Sequence, residues 1–233
     1  MYKGKRISVV IPAYNEEKAI TKVVKEFSLP FVDEIIVVDN NSTDRTAELA
    51  KAAGAKVIKE LRQGYGFACI KALISAKGDI IILTEADNTF DAKDIEKLLA
   101  YIEDVDMVLG TRTCMQLVER EANMNFFLRY GNIFIAKLLQ LLYDNVRITD
   151  VGCTFRAIKR AALRKIVKKL KVGGSTFSPE MIIEAIRAGL KIIEVPVHYR
   201  KRIGTGSITS ESKIKAFIVG LKMIWLIFNR KLS

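Results

Sequence analysis

Short apolar runs alternate with amphipathic stretches through the first half of the chain. "RISVVIPAYN" reads as a strand leading into a polar loop, and residues 16–27 read as a helix. "VDEIIVVDN" is the next strand. A helix over Thr43–Ala53 follows, and its "NNSTD" start supplies capping side chains. "AKVIKE" is a short strand, 66–76 a helix, "DIIILTEAD" a strand, 91–103 a helix, and "DMVLGTR" a strand again. Near-continuous apolar strands separated by amphipathic helices predict a parallel sheet covered on both faces. Ligands of such sheets bind beyond the carboxyl ends of the strands. Three polar stretches fall there: "PAYNEE", "DNNSTD" and "TEADNT".

The second half is less regular. Residues 124–143 predict a long helix, "ITDVGCTFRAIKR" a strand entering a helix, and 178–188 another helix. "KIIEVPVHYRKR" predicts a strand whose Pro196 marks an edge or a bulge. "IGTGSITSES" is a loop, and "SKIKAFIVGLKMIWLIFNRK" a terminal helix. With no internal repeat or linker, the division expected is one catalytic domain over 1–211 and an apolar, basic helix over 212–233. The last apolar run, Ala216 to Phe228, contains Lys222 and falls short of the ~20 residues a membrane span needs. Two readings stand: a helix lying in a membrane interface, with Trp225 and its lysines at headgroup level, or one packed on the core or a second subunit.

Composition narrows the class. Half of the 233 residues are hydrophobic, as in a globular chain with a real core. Cys69, Cys114 and Cys153 form no CxxC pair, which argues against a disulfide framework or a zinc site and fits a reducing compartment. No cleavable signal peptide is expected from the N-terminus. The net charge of +12 is uneven: residues 1–110 hold 15 Lys/Arg against 18 Asp/Glu, and residues 111–233 hold 23 against 8. Such a basic half suits an anionic partner, or is simply a solvated lysine-rich surface. Without a helix-turn-helix, zinc finger or aromatic RNA-binding set, nucleic acid is not the expected partner.

The chemistry concentrates at the strand ends. Asp39 ends a buried strand, where a carboxylate can accept hydrogen bonds from a base or a ribose, or can cap the turn after it. No GxGxxG or GxxxxGK[ST] follows any strand, so dinucleotide binding and P-loop hydrolysis lack their signatures. Glu85 and Asp87 stand one residue apart in "LTEADNTF". Their hard oxygens suit Mg²⁺ or Mn²⁺, which can neutralise a departing diphosphate. Gly64 and Gly66 shape a turn, or let the backbone approach such a diphosphate. Glu180, after Pro179 near a helix start, reads as a cap. His198, the one histidine, reads as structural or substrate-adjacent rather than catalytic.

Taken in order, "VVIPAYNEE", "EIIVVDNNSTDRT", "GYGFACIKALISAKGDIIILTEAD" and "DVGCTFRAIKR" resemble family 2 glycosyltransferases of the GT-A fold, most of all the dolichyl- or polyprenyl-phosphate sugar synthases (the dolichol-phosphate mannose synthase branch). The resemblance covers roughly residues 6–210. It implies an α/β fold with a Rossmann-like, mostly parallel sheet flanked by helices, here followed by a C-terminal amphipathic helix. It implies an inverting, metal-dependent transfer of a hexose from a nucleotide-diphosphate sugar, of GDP-mannose or UDP-glucose type, to a dolichyl or polyprenyl phosphate at the cytoplasmic face of a membrane.

By position, the resemblance assigns Pro12, Ala13, Tyr14 and Glu16 to the nucleotide loop and Asp39 to the base. The family's DxD falls on Glu85-Ala86-Asp87, with Glu85 and Asp87 as metal ligands. Glu85 stands where relatives usually have Asp, and Thr89 where some have a metal-contacting Gln. Arg129 and Asn132 match the acceptor side, and Asp150 and Arg156 the motif that closes the site. At Glu180, read above as a cap, the relatives that this chain resembles place an acid facing the site. Arg202 and Ser207 match a phosphate-contacting loop, which continues with Ile208 where relatives usually have Lys. Asp87, Arg129, Arg156 and Arg202 are the expected catalytic set, and Arg129, Asn132, Arg202 and Ser207 the acceptor-phosphate set. A phosphate monoester, with its second pKa near 6, is already ionised at neutral pH, so no general base is assigned. The rival readings are transfer to a soluble sugar or small-molecule acceptor, and a degenerate module that binds nucleotide without turnover.

Overall fold

The structure is a computed structural model and describes residues 1–122, 124–143, 146–204 and 213–232. Seven strands form one sheet in the order β3-β2-β1-β4-β6-β5-β7. In chain order they are β1 (Ile7–Ala13), β2 (Glu34–Asp39), β3 (Lys56–Lys59), β4 (Ile80–Leu83), β5 (Met107–Thr111), β6 (Arg156–Lys159) and β7 (Ile192–Pro196). The helices are α1 (Ile20–Phe27), α2 (Thr46–Ala52), α3 (Tyr65–Ser75), α4 (Ile95–Tyr101), α5 (Phe126–Tyr143), α6 (Arg160–Ile166), α7 (Phe177–Arg187) and α8 (Lys213–Leu232).

Successive side chains of a strand point to opposite faces, so the apolar strands feed two cores. Val9 and Ile11 pack with Ile20, Val23, Val24 and Phe27, the i, i+3, i+4, i+7 stripe of α1, and with α4. Val10 faces the other way, toward Ala68, Cys69, Ala72 and Leu73 of α3, and toward α5, α7 and α8. Cys153 and Phe155 are fully buried packing residues, as their apolar surroundings demand.

Strand β6 departs from a simple parallel sheet. It runs antiparallel to both β4 and β5, and the other six strands share one direction. A short buried run looks the same in either direction, so the pattern of apolar residues carried no sign of this. Pro196 lies on β7, an edge strand, where its missing N–H leaves no gap in the ladder. Residues 16–19 form the turn before α1 rather than its first turn. There the Glu16 carbonyl accepts the N–H groups of Ala19 and Ile20.

The C-terminal helix has two apolar sides. Val219, Met223, Leu226 and Ile227 are buried in the core shared with α5 and α7. Ile214, Phe217, Ile218, Leu221, Trp225 and Phe228 form an exposed stripe. Among the described residues no helix is long and apolar enough to cross a membrane.

Candidate active site

Register aligns the site. Ala13 at the end of β1 lies beside Asp39 at the end of β2, and Val10 pairs Leu83 at the end of β4, so three loops leave the sheet at one rim. Each contains an asparagine in the left-handed region: Asn15 (φ 53), Asn41 (φ 63) and Asn88 (φ 67). Asparagine adopts this conformation more readily than other side-chain-bearing residues, which lets the chain reverse sharply without glycine. The first two loops are stitched together. The Asn15 carboxamide oxygen accepts the Thr43 N–H at 2.8 Å, and the Glu16 N–H donates to Thr46 Oγ1 at 2.7 Å.

A cleft of about 1170 Å³ opens at this rim. Pro12, Ala13, Tyr14, Glu16, Glu85, Ala86 and Asp87 line it, as do Asn132 and Arg202. The structure therefore brings together most of the residues expected from the sequence. Asp39 is 2% exposed and does not line the cleft; one of its oxygens accepts the Ser42 N–H at 3.0 Å, the turn-capping arrangement. Its neighbour Asn40 lines the cleft instead, with its side-chain oxygen accepting the Gly64 N–H at 2.8 Å.

The acidic pair at the mouth of β4 has a cationic partner of its own. Arg202 donates to Asp87 Oδ2 at 2.6 Å and pairs with Glu16 Oε1, although Glu16 and Arg202 lie 186 residues apart. Asp87 Oδ1 accepts the Thr89 N–H and hydroxyl at 3.0 and 2.6 Å, and Glu85 Oε1 accepts the Thr154 hydroxyl at 2.5 Å. Burial, and then the charge of Asp87, push Glu85 up to about 7. Burial also pushes Glu16 up to about 8; Arg202 opposes the rise, and Asp87 and Glu85 reinforce it. Glu16 and Asp87 share the Arg202 guanidinium, Glu85 stands beside Asp87, and among the described residues Glu16 Oε2 is buried without a hydrogen-bond partner. A hard divalent cation fits this donor set. Glu85 and Asp87 are the side chains that would hold it; among the described residues no group of three or more His, Cys, Asp or Glu forms a metal cage.

A second cation at the cleft was not singled out from the sequence. Arg112, just past β5, donates through Nε and a terminal nitrogen to Asp150 at 2.8 and 2.9 Å, and lines the cleft with Asn132, Gly152 and Thr154. Its guanidinium lies 5.1 Å from the Tyr199 ring centroid. Asp150 is fully buried. Burial tends to raise its pKa, but the charge of Arg112 and four hydrogen bonds outweigh this and hold the carboxyl below the usual range. The available signal was positional: Arg112 immediately follows a buried strand.

Two expected arginines stand elsewhere. Arg156 is 1% exposed, and it donates to the carbonyls of Cys153, Ser178 and Val151 and to Ser178 Oγ. Its expected place in the catalytic set is corrected to a bracing role. Hydrogen bonds to a charged group contribute about 1.5–3 kcal/mol each; here they compensate only part of the burial, which pulls the Arg156 pKa below its ordinary value. Arg129 does not line the cleft; it lies 5.5 Å from the Tyr130 ring centroid, and its Nε is buried without a hydrogen-bond partner among the described residues. His198 bonds Asp94 at 3.0 Å outside the cleft lining, and Glu180 faces a loop and α8 rather than the cleft. Ser207 lies outside the described residues.

The glycines before α3 have a tight job. A Cβ on Gly66 would sit 2.0 Å from the Val172 carbonyl oxygen, and one on Gly64 2.4 Å from that of Gly173. Gly66→Ala is expected to lower stability by about 1–3 kcal/mol, because backbone must move to admit the methyl group. Urea unfolding checks this, and an unchanged midpoint would contradict the packing.

A mixed sheet with paired carboxylates and two arginines at one rim has the architecture of the GT-A fold. The sequence model of glycosyl transferase family 2 matches residues 8–167, and the chain belongs to that family. It is a glycosyltransferase. It is 35% identical to the uncharacterized protein MJ1222 of Methanocaldococcus jannaschii, over 97% of this chain and 92% of that one. It is 33% identical to a dolichyl-phosphate hexose transferase of Haloferax volcanii, over 92% and 89%. Among solved structures, glucosyl-3-phosphoglycerate synthase of Mycobacterium tuberculosis, in complex with Mn²⁺, UDP and glucosyl-3-phosphoglycerate, superposes with a TM-score of 0.74. That match has 23% identity and covers 97% of this chain and 80% of the other, a likeness of fold.

Proposed function

We propose that the chain transfers a hexose from a nucleotide-diphosphate sugar to the phosphate of a dolichyl or polyprenyl phosphate, with inversion at the anomeric carbon. The observation that carries this reading is the continuity of the cleft. One end holds Glu16, Glu85, Asp87 and Arg202; the other runs between α5 and α8, lined by Phe126, Phe127, Phe134, Phe217 and Leu221. A polar substrate and an apolar chain can meet in one such trough. The 33% identical relative called a dolichyl-phosphate hexose transferase supports the same choice.

In this reading Pro12–Glu16 and Asn40, in the turn that Asp39 caps, hold the nucleoside. Glu85 and Asp87 would hold Mg²⁺ or Mn²⁺, which would supply positive charge to the departing diphosphate. Arg202, beside them, is placed for a phosphate of the donor or the acceptor. Arg112 and Asn132 face the acceptor phosphate, and a guanidinium held by Asp150 is already oriented to bind oxygens. The acceptor phosphate is an anion at neutral pH and attacks the anomeric carbon without a base, opposite the leaving diphosphate. The chain works peripherally at the cytoplasmic face, with the outer stripe of α8 in the interface and exposed Lys215 and Lys222 near anionic headgroups.

The test is a screen of UDP- and GDP-sugars with a polyprenyl phosphate and Mn²⁺ or Mg²⁺, with and without EDTA. Labelled sugar in the organic phase, lost with EDTA, is the expected result. Release of nucleoside diphosphate without labelled lipid would move the acceptor to a soluble molecule. No release with any donor would leave a nucleotide-binding module.

A further inference from the structure

The buried acid on α7 and the last turn of α8 are joined in a way that the catalytic reading does not use. Glu180 is fully buried, and its oxygens accept the N–H groups of Lys171 and Val172 at 3.1 and 2.9 Å. Its remaining charged partner is Arg230, which also lies 3.3 Å from Glu184. The backbone carbonyl of Arg230 accepts from Arg187 at 2.9 Å. A carboxylate at this depth needs its cation: a buried pair that loses one member leaves an uncompensated charge.

The loop gripped by Glu180 then touches the cleft wall. The Gly173 carbonyl accepts the Gly66 N–H at 2.8 Å. Gly64 and Gly66 have no space for a Cβ against Gly173 and Val172, and a Cβ on Gly173 would sit 2.2 Å from the Phe67 ring. Packing this close transmits displacement rather than absorbing it. On its far side Gly64 donates to Asn40, and Asn40, Gln63, Gly64 and Ser175 all line the cleft. An unbroken series of contacts thus runs from Arg230 through Glu180 and residues 171–173 to the wall beside Asn40.

We propose that Arg230 is a positioning residue: by holding Glu180 it sets residues 171–173, and through them the 63–66 wall, so that seating of the C-terminal helix tunes nucleotide binding. The link to nucleotide rests on the reading of that wall as the donor side; the mechanical link does not. Arg230 is sequentially and spatially separate from the expected site residues and does not line the cleft.

The test compares the full chain with its R230Q, R230K and Y143F variants. Y143F is the control, since it removes the bond from Tyr143 Oη to the Ile227 carbonyl (3.0 Å), another anchor of the same helix that leaves Glu180 alone. Amide hydrogen exchange is followed over 63–67 and 171–175 against strands β1 and β4. Affinities for UDP and for GDP, each with Mn²⁺, are measured by calorimetry. R230Q is expected to speed exchange in both segments but not in the strands, and to weaken the nucleotide that binds by roughly 3- to 30-fold. R230K, which keeps the charge without the fork, is expected to fall between, and it carries the test if R230Q does not fold. Y143F is expected to match the parent in affinity. A lower melting temperature in R230Q with unchanged exchange at 63–67 and unchanged affinity would overturn the proposal, as would equal weakening by Y143F. If neither nucleotide binds the parent chain, the donor-side reading fails and the exchange result alone decides the mechanical link.

Discussion

Asp87→Asn is expected to lower sugar transfer about 100- to 1000-fold, the loss typical when one charge-stabilising group is removed from an active site. The reason is geometric. Asp87 is 3% exposed, one oxygen is fixed by Thr89, and the other points at the position where Arg202 now neutralises the acidic cluster. Asparagine keeps the shape and loses the charge. Circular dichroism should therefore report an intact fold, while nucleoside diphosphate release with Mn²⁺ collapses. Glu85→Gln is expected to lose less, because Thr154 still positions that side chain and the amide keeps one oxygen toward the cation. Equal turnover by Asp87→Asn and the parent would remove the metal grip from the mechanism.

Asp150→Asn should produce the largest loss of stability, about 3–5 kcal/mol, because it leaves the Arg112 guanidinium without its charge partner in a buried setting. The effect should also depend on pH. The folded carboxyl is held below its ordinary value, so its contribution is fully present above the unfolded-state pKa, near 4. It disappears as pH falls through the lower folded value. The stability gap between parent and variant should therefore be constant near neutrality and narrow at acid pH. Denaturant midpoints measured from pH 7 down to about pH 3 read this directly, and a gap that widens on acidification would contradict the assignment. Because Arg112 lines the cleft, a fall in turnover should accompany the loss of stability even at temperatures where the variant remains folded.

Much of the site was legible along the chain because it is local. A polar loop must follow each buried strand, so "PAYNEE", "DNNSTD" and "TEADNT" announced the rim before any contact was known. Helices with a clean 3.6-residue stripe, such as α1, could be read within a few residues. The two faces of α8 show the limit of that method. Apolar residues on both sides allowed a packed helix or an interfacial one, and the fold buries one stripe while leaving the other in solvent.

The sequence by itself determined the alternation of strands and helices, the loops that carry the chemistry, and the acidic pair at the end of β4, since each depends on residues within about a dozen positions of one another. Only the tertiary structure decided the reversed direction of β6, the interior role of Arg156, the placement of Arg112 in the cleft, and the pairings Glu16–Arg202 and Glu180–Arg230. An arginine reads the same whether it will meet phosphate, a carboxylate or backbone carbonyls. Which of these it meets depends on distant segments arriving beside it, and local hydrophobic periodicity carries no information about that.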